Sequence, residues 1–173
     1  MDPIDQELAA NIDRVGWGVI AIPADEMSPG WAFTVGLWHT FRVPEAAIFG
    51  IDPERAIPML NVVGAQVAAG ARLADGQLLD DVVGGDYRVR LGPVDDAWRG
   101  PFFGTADRIY RATADWRILQ CVWPDRDSRY PGETGFDAEF EDMQPQLFLE
   151  PGQHPGGVWT NDYEDWLAWD SAE

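Results

Sequence analysis

The chain has 173 residues, 46% of them hydrophobic, which suits one packed domain and is too apolar for disorder. Its formal net charge is −18, with 30 acids against 12 basic residues, every one an arginine. A field of that sign repels nucleic acid and anionic membrane, and no apolar run reaches the ~18 residues of a bilayer span, so neither is expected as a partner. The first ten residues, MDPIDQELAA, carry acids where a secretory leader needs a basic start and an apolar core. The expectation is a cytoplasmic protein.

Asp2 and Pro3 make a cap and a first helical position. Ile4, Leu8, Ile12 and Val15 then recur at helical spacing, and Gly16 is a stop. Residues 17–22 (WGVIAI) read as a strand ended by Pro23. Residues 31–37 (WAFTVGL) and 46–51 (AAIFGI) read as two more, and connections this short favour an antiparallel meander. Asp52-Pro53-Glu54 repeats the capping signature of the first helix. A helix follows to about Ala69, with Ile57, Leu60, Val63 and Val67 inward, and with Pro58 expected to kink it or delay its start.

Residues 87–91 alternate Tyr87, Val89 and Leu91 with Arg88 and Arg90, the pattern of a strand with one wet face. Gly104-Thr105 offers a cap for a short helix over 106–112, and residues 116–123 (WRILQCVW) read as the last strand. Beyond Pro124 the chain is rich in Gly, Pro and acids, with an apolar patch at 147–149. Residues 130–173 hold eleven acids and no arginine. Near the end, Tyr163, Trp166, Leu167 and Trp169 can share a helical face, which either docks on the body or forms an acidic-aromatic recognition tail. The fold class expected is α+β: an antiparallel sheet of about five strands with two or three helices packed on one face. Residues 1–150 form the domain, and 151–173 an acidic, Trp-rich C-terminal extension.

Familiar chemical motifs fail here. Residues 16–21 (GWGVIA) match the letters of a dinucleotide fingerprint, but they lead from a helix into a strand, the reverse of what phosphate binding needs. There is no P-loop, nucleophile elbow or HExxH. Cys121, the only cysteine, excludes an internal disulfide and a cysteine zinc cluster, and its apolar neighbours mark it as a buried side chain. His39 and His154 are the only histidines, so no metal site, cofactor or catalytic set is assigned.

Two segments carry a resemblance. Residues 33–52 (FTVGLWHTFRVPEAAIFGID) resemble the opening block of a bacterial family known as domain-of-unknown-function family 4262: an aromatic-Thr-x-Gly-Leu strand, a loop, and a His-Pro-Glu turn before an apolar strand. Residues 119–136 (LQCVWPDRDSRYPGETGF) resemble its second block, a Leu-Gln strand with Pro-Asp and aromatic-Pro turns, and Gln144-Pro145 falls where a terminal Gln-Pro is usual. The similarity covers about residues 12–150. One departure is Val43, which stands where the family commonly has histidine. The resemblance implies fold boundaries and no activity.

The motif residues define the candidate site. Thr34 and Gly36 mark a bulge or close approach, Gln120 is a polar group in an apolar strand, and Asp125 is placed to cap a turn. Alternatively the ends of the second and last strands meet, and Thr34, Gly36, Trp38, His39, Glu45, Gln120, Trp123 and Asp125 rim one ligand pocket. Three functional classes stay open. The favoured one is a noncatalytic, immunity-like or adaptor protein whose acidic surface meets a basic protein partner. The alternatives are a small-ligand module and a hydrolase-type enzyme using His39 with Asp125 or Glu45.

Overall fold

The structure is a computed structural model that describes residues 2–113, 115–160 and 163–172. The chain begins with α1 (Pro3–Val15), where the Asp2 carboxylate accepts the Ile4 N–H at 3.0 Å and Gly16 closes the end in the left-handed region. Then come β1 (Gly18–Ile22), β2 (Trp31–Val35), a short α2 (Leu37–Phe41) and β3 (Glu45–Phe49). Next are α3 (Pro53–Ala68), a two-residue β4 (Leu78–Leu79), β5 (Val89–Pro93), α4 (Arg99–Tyr110), β6 (Ile118–Val122) and α5 (Tyr163–Asp170). Pro58 lies within α3 without delaying its start at Pro53.

Two of these elements differ from the sequence reading for local reasons. The strand expected to run to residue 37 stops at Val35 because Gly36 turns left-handed (φ 119°). A side chain there would sit 2.7 Å from the Gly16 carbonyl oxygen. The loop expected next is α2. The short helix expected over 106–112 begins instead at Arg99 and bends at Phe103, whose backbone leaves helical geometry.

The strands form one six-stranded sheet in the order β1-β2-β3-β6-β5-β4. Every neighbouring pair is antiparallel except β3 and β6, which run parallel with Glu45 opposite Ile118 and Ala47 opposite Gln120. The expected wholly antiparallel sheet of about five strands is therefore corrected to a mixed sheet. The short connections do give antiparallel pairs, but residues 50–117 form one long excursion, and a long crossover permits a parallel return.

Helices cover both faces, not one. On the first face, Ala56, Leu60, Val63 and Val67 of α3 pack on Ala46, Ile48, Leu91, Leu119 and Cys121. On the second, Leu8 of α1 and Phe102, Phe103 and Ala106 of α4 pack on Phe33, Ala47, Phe49 and Ile118. Strand β3, wholly buried, thus feeds two cores with alternate residues, which is why its sequence is apolar from Ala46 to Phe49.

The C-terminal residues return over the second face. Leu147 and Trp159 are buried in its core, and the Tyr163 ring lies 5.1 Å from Trp98. Of the four residues expected to share one docking face, Tyr163 and Trp166 turn inward, while Leu167 is 41% and Trp169 62% exposed.

Cys121 is wholly buried in the first core, and that burial pushes its thiol pKa up to about 12. A thiol that is neither ionised nor reachable does not alkylate. Intact mass after iodoacetamide at pH 8 is expected to show no adduct on the native chain and one on the chain unfolded in guanidinium.

Candidate functional site

Glu45 opens β3 and is fully buried. Its carboxylate accepts five hydrogen bonds. Three come from backbone N–H groups at the start of α2: Gly36 at 2.9 Å, Leu37 at 3.2 Å and Trp38 at 3.0 Å. Two come from hydroxyls, Thr34 and Tyr110, each at 2.6 Å. Both hydroxyls are themselves acceptors, Thr34 from the Ala46 N–H and Tyr110 from the Gly36 N–H, each at 2.9 Å. Each hydroxyl proton is therefore directed at Glu45.

Burial raises the Glu45 pKa, and the bonds from Thr34, Tyr110, Trp38 and Gly36 oppose that rise. With donors on every side and nothing to receive an acid proton, the carboxylate is the form that fits. Burial, followed by the charge of Glu45, raises the Tyr110 pKa as well, so the phenol keeps its proton. The arrangement caps α2 and locks the turn between β2 and β3. It is closed to solvent and offers a substrate no lone pair.

The other motif residues lie at the far end of the sheet. Gln120 donates to the Pro145 carbonyl oxygen at 2.9 Å. The Gln144 amide bridges the Trp123 backbone, accepting its N–H at 3.1 Å and donating to its carbonyl at 2.9 Å. The Trp123 indole donates to the Phe49 carbonyl at 2.8 Å. Asp125 accepts the N–H groups of Asp127, Arg129 and Asp137, each at 2.9 Å. Burial works against its charge, but these bonds and Arg129 hold its pKa below the usual carboxylate value. This set staples the returning chain along the end of β6.

The eight candidates therefore do not rim one pocket. Strand β2 runs antiparallel to β3, whereas β6 runs parallel to it, so the ends of β2 and β6 point to opposite edges. Trp123 lies four residues beyond Leu119, the partner of Ala46, or roughly 13 Å further along. Thr34, Gly36, Trp38 and Glu45 do come together, around the carboxylate. His39 is exposed on α2, away from Asp125. Gln120 and Trp123 each line a hollow, of about 230 and 250 Å³, but two different ones.

His154 sits in the returning segment with both ring nitrogens facing backbone N–H groups, Nε2 toward Gln146 and Nδ1 toward Gly156, each at 3.1 Å. Protonating the ring turns a second N–H against a donor. Burial also lowers its pKa from the ordinary 6.5. The unfolded chain therefore takes up this proton first as pH falls, and stability falls with it. The contribution is whole above pH 6.5 and shrinks as pH drops through 6.5 toward the lower folded value. Amide exchange over residues 146–157 is expected to quicken between pH 7 and 5.5, and His154→Gln to flatten that dependence.

A concavity rich in aromatic rings involves none of the eight candidates. It is a cleft of about 230 Å³ between the loop after β1 and the returning chain, lined by Trp31, Trp98, Phe102, Trp159, Tyr163 and Trp166. Asp25 and Met27 stand at its mouth. Sequence reasoning missed it because its walls come from three distant segments, around residues 22–31, 98–102 and 158–166. The only signal was the count of nine tryptophans.

A family model described as "Domain of unknown function (DUF4262)" matches residues 11–137. The chain belongs to the DUF4262 family. No curated protein and no solved structure matches it.

The DUF4262 motif residues now have physical roles in this chain. Thr34, Gly36 and Glu45 build the cap of α2, and Gln120, Trp123 and Asp125 build the staple. Val43, where the resemblance leads one to expect histidine, is buried in the first core. The match ends at 137, so Gln144, Trp159, Tyr163 and Trp166 lie beyond it.

Proposed function

We propose that this protein is a noncatalytic interaction module whose C-terminal segment presents an acidic face to a basic protein partner. The observation that carries the reading is that residues 130–173 hold eleven acids and no arginine, and that within this segment Gln144, Leu147 and Trp159 are anchored to the body. Leu147 and Trp159 are buried, and Gln144 and Trp98 bond to or from the backbone. Acids on a fixed surface attract a cationic partner without the ordering cost of a free tail. A noncatalytic role is supported by the chemistry of the buried groups. Glu45 and Asp125 are saturated by internal donors, and the Cys121 thiol is inaccessible.

The absence of lysine makes a direct test available. A zero-length carbodiimide joins carboxylates to amines, so this chain contributes carboxylates and its partner the lysines. Coupling in native extract is expected to give adducts mapped to acids between 133 and 170, disappearing as salt rises to 0.5 M. Adducts that survive high salt, or that map to α1 and α3 instead, would overturn the reading.

A further inference from the structure

We propose that the aromatic cleft seats an arginine side chain of that basic partner, its guanidinium stacking on the indole faces and pairing with Asp25. The proposal rests on the interaction reading above and adds the group that is recognised.

The cleft offers a cation what it needs and an anion little. The indole N–H groups of Trp31, Trp98 and Trp159 are already donated to the carbonyls of Phe102, Leu149 and Asp142, at 2.9, 2.7 and 3.0 Å. Trp98 and Trp159 are buried and form the floor of the cleft, so the π surface open to a guanidinium is that of the half-buried Trp31 and Trp166. Trp31 and Trp159 meet edge to face at 6.2 Å, and Tyr163 and Trp166 stack at 6.2 Å.

At the mouth, Asp25 Oδ1 accepts the N–H groups of Met27 and Ser28, at 2.8 and 2.9 Å, which fixes the carboxylate. Its second oxygen has no hydrogen bond among the described residues. The bonds from Ser28 and Met27 also hold its pKa below the ordinary carboxylate value, so it stays charged. Met27 is 52% exposed beside it and can fold over an alkyl stem.

Arginine–aromatic pairing recurs in this chain. Four arginines lie over aromatic rings: Arg42 on Trp38, Arg90 on Tyr130, Arg99 on Trp116 and Arg126 on Phe140, at 4.5–5.7 Å. None of them lines this cleft, although it holds six aromatic residues. A guanidinium is flat, weakly hydrated and able to stack while donating to a carboxylate, which suits this geometry better than an ammonium.

Fluorine NMR of the full chain labelled with 5-fluorotryptophan tests the proposal, with resonances assigned by single Trp→Phe substitutions. Titration with N-acetylarginine amide is expected to shift the Trp31 and Trp166 signals together, saturating in the millimolar range. N-acetylcitrulline amide, the same shape without charge, is expected to leave them in place. Asp25→Asn keeps an oxygen for the Met27 and Ser28 N–H groups and removes the charge. It is expected to weaken arginine at least fivefold with the melting temperature unchanged.

Gly100→Ala places a methyl where the Trp166 ring lies and is expected to abolish saturation. Equal shifts with citrulline, shifts spread linearly over all nine tryptophans, or a response to tetramethylammonium but not arginine would each overturn the proposal. If arginine is silent while salt-sensitive carbodiimide adducts persist, the cleft assignment alone fails. If both are negative, the interaction reading fails with it.

Discussion

Glu45→Gln is expected to bring the native state close to unfolding. Glutamine keeps the shape but replaces one carboxylate oxygen with an amide NH₂. Oε1 receives Gly36, Trp38 and Tyr110, and Oε2 receives Thr34 and Leu37, so either orientation sets a donor against donors. At least two buried donors lose their acceptor, at roughly 1–3 kcal/mol each. A loss of about 2–6 kcal/mol is a large share of a typical total of about 5–15 kcal/mol. Tyr110→Phe removes the bond donated to Glu45 and the one accepted from Gly36, whose N–H keeps the carboxylate as acceptor, and is expected to cost about 1–2 kcal/mol. Urea unfolding of both variants checks this. A loss below about 1 kcal/mol for Glu45→Gln would mean that the native carboxyl already carries a proton and that the donor count misjudges its charge.

Gly50→Ala should be the next most damaging single change. Gly50 follows β3 with φ at 76°, a conformation that costs an ordinary residue roughly 1–2 kcal/mol. Its N–H also donates to the Gly30 carbonyl at 2.8 Å, which ties it to the chain entering β2. A methyl there would overlap the Met143 carbonyl oxygen. Since that neighbour is backbone, the chain at 143 has to move, and with it the Gln144 bridge to Trp123. Strain and a broken buried bridge together suggest a loss of roughly 3 kcal/mol. For a chain of this length that lowers the melting temperature on the order of 10 °C. Calorimetry would show it, and amide exchange should place the loosening first at residues 140–147. A variant as stable as the parent would mean that the returning chain is free to shift.

What was legible in the sequence was local. The first helix could be read from Asp2, Pro3 and Gly16 because caps act within a turn of the residues they cap. Strands β1, β2, β3 and β6 could be read as mostly apolar runs because a buried strand is built largely from apolar side chains whatever it pairs with. Helix α2 was not legible, because residues 37–41 are held as a helix by a carboxylate eight residues away at Leu37. Glu45 itself looked like a loop residue at a pocket rim. Only the fold shows it enclosed, with Tyr110 arriving from 65 residues away.

The sequence by itself determined the acidity, the α+β class, the starts of α1 and α3 at Pro3 and Pro53 and the membership of residues 11–137 in the DUF4262 family, all properties of composition and short-range order. The tertiary structure decided the rest. Parallel pairing of β3 with β6 depends on where a long crossover returns, and no local residue specifies that. That one pairing sends the ends of β2 and β6 to opposite edges and divides the expected pocket into a capped turn and a staple. It is likewise packing at a distance, from Asp25 to Trp166, that assembles an aromatic cleft whose parts look in sequence like scattered core residues.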